Sequence, residues 1–343
     1  MAQAPLSFQR PIYTPIGTKK IFTQWREAEN PIRWAYAKLL RERDETRRIY
    51  DVDPFVEVYT LRENLYGIYA ESLDGAGDSW IFVIDGPEKA LVIDTAWGLG
   101  DLKGLIRQLI GDKPYFVANT HFHQDHALGN YQFDKVYCHE YDVPDLKAAM
   151  NPHVWDKLFD ENGNGIWSEF PKEALIPFRE YEIVGVPDGY VFDLGGDHQV
   201  ELLLMGGHSL GHCGFLDKKN RIFFPGDDCC VGAIGIGGKP EGTPNREFGT
   251  VEAFHEQLQK ICARADEFDS LFPSHGPVET GPVMLFSAME ACEAVLADPS
   301  NYDRHAFTAR GEQFGKMIFE SGYLNYTRIS VYKDRVADIK VKD

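Results

Sequence analysis

From Phe55 onward the chain repeats one pattern: a short apolar run, a turn, then a stretch with helical spacing. The runs are "VEVYTL" from Val56, "LYGIYAES" from Leu65, "WIFVIDG" from Trp80, "ALVIDTAWG" from Ala90, "YFVANTH" from Tyr115, "VELLLMGGH" from Val200, "RIFFPGDD" from Arg221 and "SLFPSHG" from Ser270. Apolar runs of this length, bounded by turn residues, predict buried strands. Between them, "GDLKGLIRQLIG" from Gly100, "GTVEAFHEQLQKICARA" from Gly249 and "GPVMLFSAMEACEAVLA" from Gly281 predict helices. Strands interleaved with helices point to a layered α/β body.

The first residues depart from this pattern. A Pro-punctuated lead is followed by "FTQWREAENPIRWAYAKLLRERDETRRI", in which Trp25, Trp34, Tyr36, Leu39 and Leu40 are spaced as a loose amphipathic helix. This predicts an N-terminal helical arm over 1–52, packed on the body or on a second subunit as a homo-oligomer, ahead of a domain over 53–343. Within that domain, 134–191 is longer than a link between runs requires and carries Trp155, Phe159, Trp167 and Phe170. It reads as an insertion, either a helical cover for the sheet edge or a lid with aromatic walls.

A chain of 343 residues with 43% apolar content can bury a full core. Its formal charge of −18 opposes a nucleic-acid or anionic-membrane partner, because long-range repulsion acts before any contact. The densest basic run, from Lys38, is interrupted by Glu42, Asp44 and Glu45 and reads as a solvated helix face. No apolar stretch is long enough to span a bilayer, and the first residues lack a signal-peptide core, so a cytoplasmic protein is expected. Six cysteines without CxxC spacing suggest neither a disulfide framework nor a zinc ribbon.

Chemistry enters at the ends of the apolar runs. Asp94, His121, His208, Asp227 and His275 each stand at or just beyond such an end, where layered α/β folds gather side chains on one rim. The stretch "NTHFHQDHALGN" adds His123, Asp125 and His126 within five residues of His121. Imidazole nitrogen and carboxylate oxygen suit a borderline divalent cation, zinc first, with manganese or iron as alternatives.

Taken in order, HxHxDH at His121, "GHSLGH" at Gly207, GD at Gly226 and HG at His275 resemble the motifs of the metallo-β-lactamase-fold hydrolases, over about residues 55–295. The resemblance implies a four-layer αββα sandwich. It implies one metal ion on His121, His123 and His208, and a second on Asp125, His126 and His275. Asp227 would bridge them, Asp125 and Asp227 would be the catalytic carboxylates, and Asp94 would hold a ligand by a hydrogen bond. The implied reaction is attack by metal-bound hydroxide on a small-molecule ester, thioester, lactone or amide. His123 stands where flavodiiron relatives usually carry Glu, which argues against a di-iron redox centre. Two other readings stay open: a mononuclear iron dioxygenase acting on a persulfide, and a non-catalytic binding module on the same scaffold.

Other features read more plainly. His212 is a support or pocket residue, Asp228 a neighbour of the bridge, and Cys229 and Cys230 small buried residues. "DENGNGIWSEF" from Asp160 starts like a calcium loop but places Pro171 where the bidentate Glu belongs, so it reads as a Gly/Asn turn. The Gly-rich stretch after Asp227 lacks the context of a nucleotide fingerprint. Its Lys239 and Arg246 are either exposed charges or anchors for a substrate carboxylate.

Overall fold

The computed structural model describes residues 22–23, 26–27, 40–41, 44–74, 77–230, 232–237, 239–308, 311–318, 322–327 and 330–331. The expected helical arm falls for the most part outside them. Inside them, β1 (Phe22–Thr23) and β2 (Arg26–Glu27) form a short antiparallel pair.

The first large sheet takes its strands in chain order: β3 (Arg48–Tyr50), β4 (Asp53–Arg62), β5 (Leu65–Ala70), β6 (Ser79–Asp85), β7 (Ala90–Ile93), β8 (Tyr115–Ala118), β9 (Lys135–His139) and β10 (Glu182–Val186). Neighbours are antiparallel up to β7 and parallel from β7 to β10. The second sheet holds β11 (Val191–Asp193), β12 (Gln199–Leu204), β13 (Cys213–Asp217), β14 (Ile222–Phe224) and β16 (Ser270–Leu271). The remaining strands, β15 (Gly232–Gly235), β17 (Arg304–Thr308), β18 (Gly311–Ile318) and β19 (Gly322–Tyr326), make a third sheet in the order β15, β19, β18, β17.

The strand period of two builds the layers. On β6, Trp80, Phe82 and Ile84 face the second sheet, meeting Val200, Leu202, Phe215, Ile222 and Phe224. Ile81 and Val83 face the other way, under Leu102, Leu105 and Ile106 of the helix Leu102–Ile110. On the second sheet, Leu203, Leu216 and Phe223 turn outward onto the helices Val251–Cys262 and Val283–Ala297. The order of layers is therefore helix, sheet, sheet, helix, the αββα sandwich that the sequence implied. Phe82 and Phe224 meet across the inner layer at 5.0 Å, and truncating Phe82 to alanine should cost about 3–5 kcal/mol.

The strands of segment 134–191 belong to the first sheet: β9 and β10 pair in parallel at its edge. Between them one helix, Val143–Ala149, precedes irregular chain with short 3-10 turns. Trp155 anchors that chain by donating its indole N–H to the Trp97 carbonyl at 2.9 Å, within a cluster that includes Leu73, Leu128, Tyr131 and Leu158. At the opposite edge, Arg41 and Arg47 reach the buried Glu57 at 2.6 and 2.7 Å, and Tyr59 donates to the same carboxylate. No helix among the described residues is long and apolar enough to cross a membrane.

Candidate metal centre

The ends of β7, β8, β12, β14 and β16 lie on one rim, and the loops after them carry the polar residues. After β8 the chain turns sharply, so His121 and His123 precede a single helical turn, Gln124–Ala127, that carries Asp125 and His126. His208 follows β12, Asp227 follows β14 and His275 follows β16.

These seven residues converge in two groups. His121, His123, His208 and Asp227 form one, and Asp125, His126 and His275 the other, with the candidate ligand atoms of each group within 4.8 Å of one another. His123 Nδ1 is 2.9 Å from His121 Nε2 and 3.0 Å from His208 Nε2. Asp227 lies between the groups. Its Oδ2 is 3.4 Å from His208 Nε2 and 3.8 Å from His121 Nε2. Its Oδ1 is 3.1 Å from His126 Nε2 and 3.2 Å from His275 Nε2. Asp125 Oδ2 completes the second group, 3.3 Å from His275 Nε2 and 3.5 Å from His126 Nε2.

The outer nitrogens of four histidines fix which inner nitrogen carries a lone pair. His208 Nδ1 and His275 Nδ1 face the backbone carbonyls of Gly235 and Asp78 at 2.8 and 2.7 Å, so each must donate there. His126 Nδ1 donates to the Asp94 carboxylate at 3.0 Å. The Thr120 hydroxyl gives its one proton to Asp94 and so accepts from His121 Nδ1 at 3.0 Å. In their neutral forms these four rings point Nε2 lone pairs inward, held by partners of the kind that orient metal-binding imidazoles.

Electrostatics separate the two groups. Burial, then the neighbouring His126, holds His121 well below the ordinary histidine range, and burial with the His208 ring pushes His123 down to about 3. Both are therefore neutral donors. Burial also pulls His275 and His126 down, but in the second group the carboxylates prevail: Asp227 and Asp125 raise His275 to about 10, and Asp227, Asp125 and Asp94 raise His126, so a cation there would take the place of the ring protons. His123 Nδ1 has at most one proton for the two Nε2 atoms it faces, those of His121 and His208, and both His126 Nε2 and Asp227 Oδ1 are buried without a hydrogen-bond partner. A divalent cation relieves both conditions, and the nitrogen and oxygen donors suit one.

Further residues set the frame. Asp94 has φ 64°, a left-handed conformation that Asp tolerates better than most residues, and also accepts from Thr120 N–H at 2.8 Å and Ser274 OH at 3.2 Å. His212 is no ligand atom of either group. Fully buried, its Nε2 receives the Asp227 N–H at 3.2 Å, while its Nδ1 is 2.9 Å from Asp228. Gly226 allows this, since a Cβ there would lie 2.6 Å from His212 Nε2. Lys239 is paired with Asp145 at 3.0 Å, and Arg246 donates to the Lys239 carbonyl. The Asp160 loop closes on itself, with Asp160 accepting from the N–H groups of Asn162 and Asn164.

The sequence matches the Metallo-beta-lactamase superfamily over residues 74–250, just over half of the chain. The chain belongs to this superfamily. It is a hydrolase of the metallo-β-lactamase fold, and that fold implies divalent-metal binding, for which the His/Asp groups just described are the candidates. Among similar proteins, the acyl-coenzyme A thioesterase MBLAC2 of Bos taurus is 28% identical over 215 residues, covering 59% of this chain and 76% of that protein. The hydroxyacylglutathione hydrolase of Maricaulis maris is 28% identical over 196 residues, covering 57% and 58%. A metallo-beta-lactamase structure from Pontibacter korlensis aligns with 18% identity and a TM-score of 0.46, covering 69% of this chain and 99% of that one.

The contributions of Gly235, Asp78 and Ser274 were not anticipated from sequence. Two of them act through backbone carbonyls, which no residue type announces. Thr120, next to His121, is the one whose hydroxyl in "NTH" offered a signal.

Proposed function

We propose that the protein hydrolyses a small-molecule thioester with two divalent cations, one held by His121, His123 and His208, the other by Asp125, His126 and His275, with Asp227 shared. The observation that carries this reading is the placement of Asp227, one oxygen facing each group. A carboxylate between two cations offsets their mutual repulsion. Cations held there supply Lewis acidity, lowering the pKa of water toward about 7 and polarising a carbonyl oxygen.

The chain's own residues do the rest. Asp94, Gly235 and Asp78 fix the imidazole tautomers. His121 and His126 are fully enclosed, whereas His123, Asp125, His208 and His275 are partly exposed, so a substrate approaches from their side. Asp125 and Asp227 are the partly exposed carboxylates of the two groups on that side.

One line favours a thioester over the other acyl compounds, and a second favours it over amides. The two relatives named above are described as acting on acyl groups carried by coenzyme A or glutathione. A thiol with pKa near 8.5 also leaves readily as the thiolate, whereas an amine must be protonated first. The completeness of the second group favours hydrolysis over the persulfide dioxygenase, which would leave Asp125, His126 and His275 without a task.

The test is release of free thiol from acyl-coenzyme A and acylglutathione compounds, with oxygen esters and lactones alongside. Turnover that a chelator abolishes and added zinc restores is expected. Turnover of oxygen esters or lactones alone would refute the substrate class, and no turnover of any would support a binding module.

A further inference from the structure

Asp142 belongs to neither histidine group and to none of the motifs. It is fully buried, at the end of the 3-10 turn Glu140–Asp142 that leads into the helix Val143–Ala149. Its Oδ2 accepts from the N–H of Phe122 at 3.0 Å and from the Ser209 hydroxyl at 2.8 Å. Its Oδ1 accepts from the N–H of Gly211 at 2.7 Å. Phe122 separates His121 from His123, and Ser209 follows His208. A single buried carboxylate therefore ties together the two loops that bring the three histidines of the first group. The close approach is built in at Gly211, where a Cβ would lie 2.6 Å from Asp142 N.

We propose that Asp142 is a positioning residue for the first cation, setting the separation between the His121–His123 loop and His208. The inference rests on the two-cation reading above. Three donors on a buried carboxylate are charge-assisted bonds and offset its desolvation. An amide at this position keeps the shape but turns one end into a donor. Either Gly211 N–H, or Phe122 N–H together with the Ser209 hydroxyl, then meets N–H instead of oxygen. Asp94, also buried, accepts from the Thr120 N–H, the Ser274 hydroxyl and the His126 ring, so two buried carboxylates brace the loops of the centre.

The test is zinc titration of the metal-free full-length protein against a chromophoric chelator. Wild type should show two classes of site, and His208→Ala identifies the first by weakening it. Asp142→Asn should weaken that same class by roughly 10-fold, the lower end of the cost of losing an outer partner of a metal ligand, because Asp142 holds the loops and no ligand ring, and leave the other within about 2-fold. If Asp142→Asn does not fold, Ser209→Ala decides. It removes one bond and should weaken the first class by about 2–10-fold. Unchanged affinities in the variant that folds, or equal weakening of both classes together with a lower melting temperature of the metal-free protein, would overturn the proposal. A wild type with a single class would overturn the two-cation reading, and this inference with it.

Discussion

Asp94 accepts the Nδ1 proton of His126 at 3.0 Å while its other oxygen takes the backbone N–H of Thr120 at 2.8 Å. One carboxylate at the end of β7 thereby fixes a candidate ligand and the loop that carries the others. Asp94→Asn retains a residue that tolerates the left-handed backbone found there but loses the charge facing His126. Zinc affinity of the second group should fall about 10–100-fold by chelator competition, with the first group less affected. Asp94→Val should also lower the melting temperature, because a β-branched residue is strained at φ 64°.

Asp227 and Asp228 are adjacent and should fail differently. Asp227 faces both groups, so Asp227→Asn should weaken both classes of zinc site and abolish turnover. Asp228 faces the buried His212 at 2.9 Å. Removing one partner of a buried pair costs about 3–5 kcal/mol, so Asp228→Asn should destabilise the metal-free fold while retaining two zinc equivalents. Parallel denaturant melts and metal titrations distinguish the two. Equal effects of both variants on both readouts would show that the bridge is misassigned.

A pH effect arises away from the centre. Burial, with help from Asp101, raises Asp53 to about 7, and its Oδ2 has no hydrogen-bond partner. The folded state thus holds a proton that the unfolded chain releases near pH 3.8. This penalty is absent below that value, grows as pH rises, and levels off above about 7. Asp53→Asn should therefore gain stability relative to wild type between pH 5 and pH 8, on the order of a few kcal/mol. A wild-type minus variant difference that is flat in pH would contradict it.

What the sequence revealed follows from burial. Runs covered on both faces, such as Ser79–Asp85 and Ala90–Ile93, read as continuous apolar stretches and were visible as strands. Gly311–Ile318 has a mixed pattern of exposed and buried positions, and its hairpin with Gly322–Tyr326 was not foreseen. The metal-capable residues stood out by type and order, whereas their supports did not. The Gly235 carbonyl that receives His208 comes from a Gly-rich loop whose strand pairs with Gly322–Tyr326, nearly ninety residues later in the chain. Asp142 reaches Ser209 and Gly211 across 67 and 69 positions in sequence, with no motif around it.

The central claim is that two cation sites share Asp227, and its most direct test is the metal content of zinc-saturated protein after removal of excess ion. Two equivalents are expected in wild type, with about one remaining in His208→Ala and about one in His275→Ala. A single equivalent in wild type, or two retained in either variant, would contradict the account.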